Sequence, residues 1–308
     1  MWNLFSNLSL KYTYHNNISK MFRILISIAF TLFSLTIAAQ TINTTAIQSL
    51  KTDSIHKKIV GNADYLVVYD YFFTPDADFS FQKRKGQTFL QVSNNFNRFG
   101  DYNQLRYDSL MDTSFKKGNQ KDPIEVVQRI NLLRLVRFNE SILFNKQTKK
   151  LTIQRTAGST TKYQYVEDCP QLDWKLLDGD TIISDYQCFK ASTRLFGRDY
   201  IAWYCPEISM PYGPYKFNGL PGLVLRVTDS LGHHDFVLNG IKTVNGYNPI
   251  YYWNRKDIVK TRRETVRKIY KNSCDDPMEA LVSDGSVIID DNVRAKIKAH
   301  PYNPIELE

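Results

Sequence analysis

Glycine and proline are scarce in this 308-residue chain, at 14 and 11 residues, and neither recurs at a fixed spacing. A collagen-like repeat is thereby excluded, and no internal repeat, low-complexity linker or Pro/Gly-rich boundary divides the chain. Cysteine is limited to four residues, none in a C-x-x-C pair, so the common redox and zinc patterns are missing. Missing too are G-x-S-x-G, H-E-x-x-H, the P-loop and the dinucleotide fingerprint. No catalytic residue can therefore be named from motifs, and neither a metal nor a cofactor is expected.

What is there is apolar and aromatic. Hydrophobic residues make up 43% and charged residues 23%, the balance of a folded globular protein. Nineteen Tyr and 18 Phe, with many Val, Ile and Thr, favour strands, because these side chains suit a pleated, half-buried surface. The length is about twice that of an ordinary domain and allows one large β-rich domain or two smaller ones. Net charge is +9, but residues 1–39 hold Lys11, Lys20 and Arg23 and no acid, so 37 basic against 31 acidic residues remain beyond them. That excess of six is the solvated surface of a folded domain, and no nucleic-acid partner is expected.

From Ile24 to Ile37 the chain runs ILISIAFTLFSLTI, 14 uncharged residues behind Lys20 and Arg23 and ahead of Ala38-Ala39-Gln40. A basic flank, a short apolar run and small residues at its end describe a secretory signal peptide cleaved near Ala39. The run is short of the ~20 residues a membrane-spanning helix needs. No Cys follows it, so lipidation is not expected. Met21 reads as the true start and residues 1–20 as a start-site artefact, which assigns 21–39 to the signal, 40–59 to a polar segment and 60–308 to a single β-rich domain. The expected location is the periplasm or the outer membrane and cell surface.

Within 60–308 the strand signals come in sequence. Tyr65–Phe73 is aromatic and β-branched and stops at Thr74-Pro75-Asp76; Gly86–Val92 follows. Residues 94–122 read as a polar excursion, and Ile124–Phe138 as helix or strand. Ser141–Phe144 and Lys150–Arg155 flank a turn at Asn145–Thr148, Lys162–Val166 adds a strand, and turns then recur every 8 to 12 residues to about 245. This is the rhythm of an antiparallel meander, and the expected fold is mainly β: one extended, curved antiparallel sheet forming a half-barrel or open barrel, with one or two helices near the C-terminus. Arg255–Lys271 is basic, with Ile258, Val259, Val266 and Ile269 for one face, so membrane contact would be peripheral at most.

Export would give the four cysteines an oxidising compartment. Cys188 and Cys205 stand at equal distances from Phe196-Gly197. If that pair is the turn, the two are cross-strand neighbours with Cβ atoms about 4.5–5.5 Å apart, close to disulfide reach. A Cys188–Cys205 bridge, with Cys169 and Cys274 left to pair or stay free, and two buried thiols sharing one face both fit this spacing.

The most specific text is Gly213-Pro214-Tyr215-Lys216-Phe217-Asn218-Gly219-Leu220-Pro221-Gly222-Leu223. Leu220-Pro221-Gly222-Leu223 fits a type II turn, Pro presetting φ and Gly taking the positive φ, ahead of an alternating strand. The motif reads as a structural corner. With Trp174-Lys175-Leu176, Tyr186–Ala191, Phe196–Tyr204 and the closing Tyr302-Asn303-Pro304-Ile305-Glu306-Leu307, it resembles the GLPGLI family of exported Bacteroidota proteins. The resemblance covers about residues 140–245 and the tail; Ser184-Asp185 and Val224 depart from the usual text, and Cys169, Cys205 and Cys274 are additions to it. It implies an exported β-rich envelope domain working beside other surface proteins, with no established activity.

Other polar candidates are few. Arg198, Asp199 and Arg226 could form a strand-borne polar site, or ion pairs on a sheet face. His233-His234-Asp235 is the one local cluster with ligand chemistry, yet neighbours on a strand point to opposite faces, so the two imidazoles do not share a metal. The expected function is that of a non-catalytic binding or accessory protein with an envelope protein partner. The alternatives are a carrier of an apolar ligand or lipid, and a hydrolase.

Overall fold

The computed structural model describes residues 54–79, 82–116, 122–158, 161–277 and 299–308. The start-site, signal and cleavage expectations on residues 1–39 lie outside the described residues. Of one unit only residues 122–126 are described; they form the first turn of helix α2 (Pro123–Leu135), where Asp122 receives the Ile124 N–H at 2.9 Å and Pro123 needs no partner. All that follows concerns the other unit, residues 52–120 and 127–308.

This unit is mainly β, and its large antiparallel-rich sheet is not closed. Strands β2 (Tyr65–Phe73), β3 (Arg84–Val92), β4 (Phe96–Asp101), β5 (Glu140–Asn145), β6 (Lys150–Thr156) and β7 (Lys162–Asp168) form one meander. Strands β8 (Lys175–Ile183), β9 (Tyr186–Leu195), β10 (Arg198–Cys205), β11 (Leu223–Asp229) and β12 (His234–Thr243) form the second. The two join where β12 pairs antiparallel with β2, from His234 opposite Phe73 to Thr243 opposite Tyr65. The two-residue β14 (Val259–Lys260) runs parallel to β7, and β1 (Lys57–Asn62) with β13 (Pro249–Trp253) makes a separate pair.

Burial alternates along β2, with Val67, Tyr69 and Tyr71 turned into the core, as the strand period requires. A sheet of this width does not stay flat. Tyr71, Phe99, Phe138, Tyr215 and Phe236 meet in one cluster, Tyr71 stacked on Phe236 at 4.4 Å and Phe99 edge-on to Phe138 at 5.2 Å. Rings from β2, β4, β12 and the segment before β11 can meet only if the sheet curls.

Helix α1 (Tyr102–Lys116), the rest of α2 and α3 (Arg263–Asp275) complete the unit; among the described residues one helix lies near the C-terminus. The polar excursion expected over 94–122 is corrected: it holds β4 and α1. The strand was hidden because Asn97 and Arg98 are polar yet buried, Arg98 lying 3.7 Å over the Tyr251 ring. Asp101 ends β4 and caps α1, accepting the Asn103 N–H at 2.8 Å, while its other oxygen takes the N–H groups of Arg137 and Phe138. Of the basic run 255–271 only the part from Arg263 is helical, because Val259 and Lys260 are drawn into pairing with β7.

The hairpin register about Phe196-Gly197 is as expected, Tyr204 opposite Phe189, which places position 205 opposite 188. All four cysteines are nevertheless free thiols, and no disulfide is formed. Burial pushes the Cys188 thiol up to about 11 and raises Cys169 and Cys274, so none of these three is an activated nucleophile.

The type II turn is corrected as well. The Gly222 N–H bonds the Leu220 carbonyl at 2.8 Å, a three-residue turn about Pro221, and the Leu223 N–H goes instead to Ile208 at 3.0 Å. The corner presses Gly222 onto the end of β10, where a Cβ would stand 2.1 Å from the Cys205 carbonyl oxygen and 2.8 Å from Pro206 Cα. Glycine is thus required by backbone approach more than by torsion. Gly222→Ala is expected to cost about 3 kcal/mol, the upper end for overpacking, in urea unfolding; a loss below about 1 kcal/mol would contradict this corner.

Candidate functional site

The motif does more than turn a corner. It carries Tyr215 and Lys216 inward, Tyr215 with a left-handed φ of 57°, a conformation that costs an aromatic residue about 1–2 kcal/mol. The Tyr215 hydroxyl and the Lys216 ammonium both donate to Glu306 near the C-terminus, Lys216 at 2.5 Å. Lys216 also pairs with Glu167 of β7 at 2.5 Å and has no exposed side-chain surface. Arg263 of α3 bonds the second Glu306 oxygen at 2.8 Å. Burial alone would raise the Glu306 carboxyl, but Lys216 and Arg263 hold it below the usual range.

Arg198 grips the same tail one step earlier. Its guanidinium bonds the Pro304 carbonyl, Asn303 Oδ1 at 2.6 Å and Asp229 at 3.1 Å, and its pairing with Asp229 is almost wholly buried. Tyr200 donates to the Ile305 carbonyl at 3.1 Å, and Asn303 reaches back to the Thr74 carbonyl at 2.8 Å. The polar site expected of Arg198, Asp199 and Arg226 is therefore not one site. Asp199 faces out toward Arg194, and Arg226 forms a two-pronged pair with Asp235 at 3.0 and 2.9 Å. Successive strand residues alternate faces, which separates Arg198 from Asp199.

Held down in this way, the tail walls a cavity of about 450 Å³ with β2, β5, β6, β12, α3 and the Arg137–Asn139 segment. Its inner end is polar and buried. Glu140 and Arg155 are cross-strand partners on β5 and β6, bonded through Oε1 and Nη1 at 2.6 Å. Among the described residues Glu140 Oε2 and Arg155 Nε have no hydrogen-bond partner, and the guanidinium carbon lies 4.0 Å over the Tyr270 ring. Burial raises the Glu140 carboxyl, which Arg155 only partly offsets. His234 Nδ1 meets the Tyr71 hydroxyl at 2.8 Å. Burial, then the charge of Arg198, push this imidazole down to about 3, so it is neutral. Its buried Nε2 makes no hydrogen bond among the described residues.

The apolar space between Leu90, Phe99, Ile142 and Phe217 amounts to about 30 Å³, room for about one water. Among the described residues no group of three or more His, Cys, Asp or Glu is placed to hold a metal, and no helix is long and apolar enough to cross a membrane. His233 and His234 are both buried, and Asp235 is committed to Arg226.

Sequence reasoning found the motif, Arg198 and the tail, and missed Glu140, Arg155, Glu167, Tyr71 and Tyr270. A signal was present for one pair: a hairpin turning at Asn145–Thr148 sets 140 opposite 155.

Residues 197–226 match the model of a family described as a protein of unknown function (Porph_ging), a span that holds the corner motif and Arg198. No curated protein matches. Similar solved structures include PNGF-II in a C2 crystal, at 13% identity and a TM-score of 0.44 over 68% of this chain and 33% of that one. The P21 crystal of PNGF-II gives 12%, 0.43, 70% and 34%. An uncharacterized conserved protein from Thermus thermophilus gives 11%, 0.30, 65% and 90%. This chain spans about a third of the length of PNGF-II, and likenesses this weak carry no functional argument.

Because Glu306 is held below its usual value near 4.5, its contribution to stability is present above that pH and is lost as pH falls through the lowered value. Glu306→Gln is expected to cost about 3 kcal/mol at pH 7, the low end for one partner of a buried pair, since Glu167 still serves both cations. In urea unfolding the gap to the parent protein should close as pH drops below 4.5; a gap independent of pH would show that the charge of Glu306 is not what holds the tail.

Proposed function

We propose that the chain is an exported protein of the bacterial cell envelope, of the GLPGLI type, and that it acts as a non-catalytic binding protein whose ligand site is the cavity under the C-terminal tail. Export is supported by Ile24–Ile37 with its basic flank and Ala38-Ala39, and the GLPGLI reading by the motif and tail residues, which the matched segment 197–226 overlaps.

One observation carries the binding reading. The cavity has a volume in the range of small-molecule sites, and its inner end keeps a buried, half-partnered Glu140–Arg155 pair. Unmade hydrogen bonds of buried charged groups are costly, and a bound polar group that supplies them recovers that cost. The same facts favour a small polar ligand over the lipid of a carrier, because the apolar space between Leu90, Phe99, Ile142 and Phe217 is water-sized.

A protein partner in an outer-membrane or surface assembly is supported by the sheet edge. Strand β8 ends the sheet with Leu176 and Ile182 largely exposed, and its unpaired rim is one that another chain can extend.

Native mass spectrometry of the protein released from envelope extracts tests the cavity. A small-molecule adduct is expected, and it should be lost in Ser273→Trp, which fills the cavity from α3. Adduct-free protein from every extract, or an adduct unchanged by Ser273→Trp, would overturn the reading.

A further inference from the structure

Resting on that reading of the cavity, we infer that its ligand is a small organic anion, a carboxylate or phosphate ester with an apolar body. The charge balance of the lining points there. Among the described residues, three arginines, Arg84, Arg137 and Arg155, line the cavity against one carboxylate, that of Glu140. Arg155 is bonded to Glu140, which leaves two positive charges at the exposed end without a carboxylate partner among the described residues. Among the described residues the Arg137 Nη1 bonds only the carbonyls of Arg134 and Val136, at 2.7 and 2.9 Å, which meets donors and leaves its charge uncompensated there.

The two arginines are exposed while Glu140, Phe138 and Tyr71 are buried, so the cavity grades from a cationic mouth to an aromatic inner wall. A concave site with one sign of charge at its mouth and low-dielectric walls concentrates the opposite ion. Guanidinium forks match carboxylate and phosphate oxygens two at a time, and the rings of Tyr71 and Phe138 suit an apolar body. A cationic ligand would meet the two unpaired guanidiniums before reaching Glu140, and a neutral one would leave their charge unused.

The test uses four probes that share a phenyl ring: benzoate, phenyl phosphate, benzyl alcohol and benzylammonium, each titrated calorimetrically into the full chain. Benzoate or phenyl phosphate is expected to bind at least about tenfold more tightly than the alcohol and the ammonium. Whichever of the two binds better assigns the carboxylate or the phosphate ester. The double variant Arg84→Gln/Arg137→Gln, whose side chains lie outside the core, should lose at least about tenfold in affinity for that anion. Equal or tighter binding of benzyl alcohol or benzylammonium would overturn the anion inference and leave the cavity as a ligand site. Anion binding unchanged in the double variant would overturn it as well. No binding by any of the four would overturn the cavity reading and the inference together.

Discussion

The Lys216 ammonium is fully enclosed, and an enclosed charge must be paired or the chain does not fold around it. Its two partners lie far apart along the chain: Glu167 on β7 and Glu306 in the tail. In the strand order β7 lies near one edge of the sheet, while Lys216 precedes β11 near the other. Pairing Lys216 with Glu167 therefore requires the sheet to curl, and pairing it with Glu306 requires the tail to dock. Gly222 and the turn about Pro221 bring the motif to the place where both can happen, and Tyr215 accepts a left-handed backbone to join them.

Two buried carboxylates show how the same low-dielectric interior serves opposite ends. Glu306 is surrounded by cations and hydroxyl, is held ionised, and fastens the tail. Glu140 has one guanidinium partner, an oxygen without a bond and a carboxyl raised by burial. The first is satisfied and rigid. The second is the kind of half-made network that a ligand completes. The tail connects them, since its residues from His300 to Ile305 form one wall of the cavity and Glu306, next along the chain, anchors it.

Much of the sheet was legible because its strands obey local rules. Tyr65–Phe73 is a strand to the residue, and the hairpins about Asn145–Thr148 and Phe196-Gly197 have turns at the expected places. What escaped were elements whose polar residues are buried by tertiary partners. Arg98 lies over the Tyr251 ring, Asn97 is buried, and Asp101 accepts backbone N–H groups inside, so β4 reads as polar text. The site was legible in its pieces, the motif, Arg198 and Tyr302–Leu307, but their convergence was not. An ion pair such as that of Lys216 with Glu306, 90 positions apart along the chain, leaves no periodicity to read. The cysteines mark the same limit: the register that aligns positions 188 and 205 was readable, while the oxidation state of two thiols was not.

Hydrogen exchange in Lys216→Met measures the claim that one buried ammonium joins the tail to the curl. The amide of Leu307, bonded to Phe196, and that of His300, bonded to Cys274, report the tail; the β9–β10 ladder reports the sheet. The account predicts that tail amides exchange at least about tenfold faster in the variant while the β9–β10 ladder keeps its protection. Tail protection unchanged from the parent protein would contradict it.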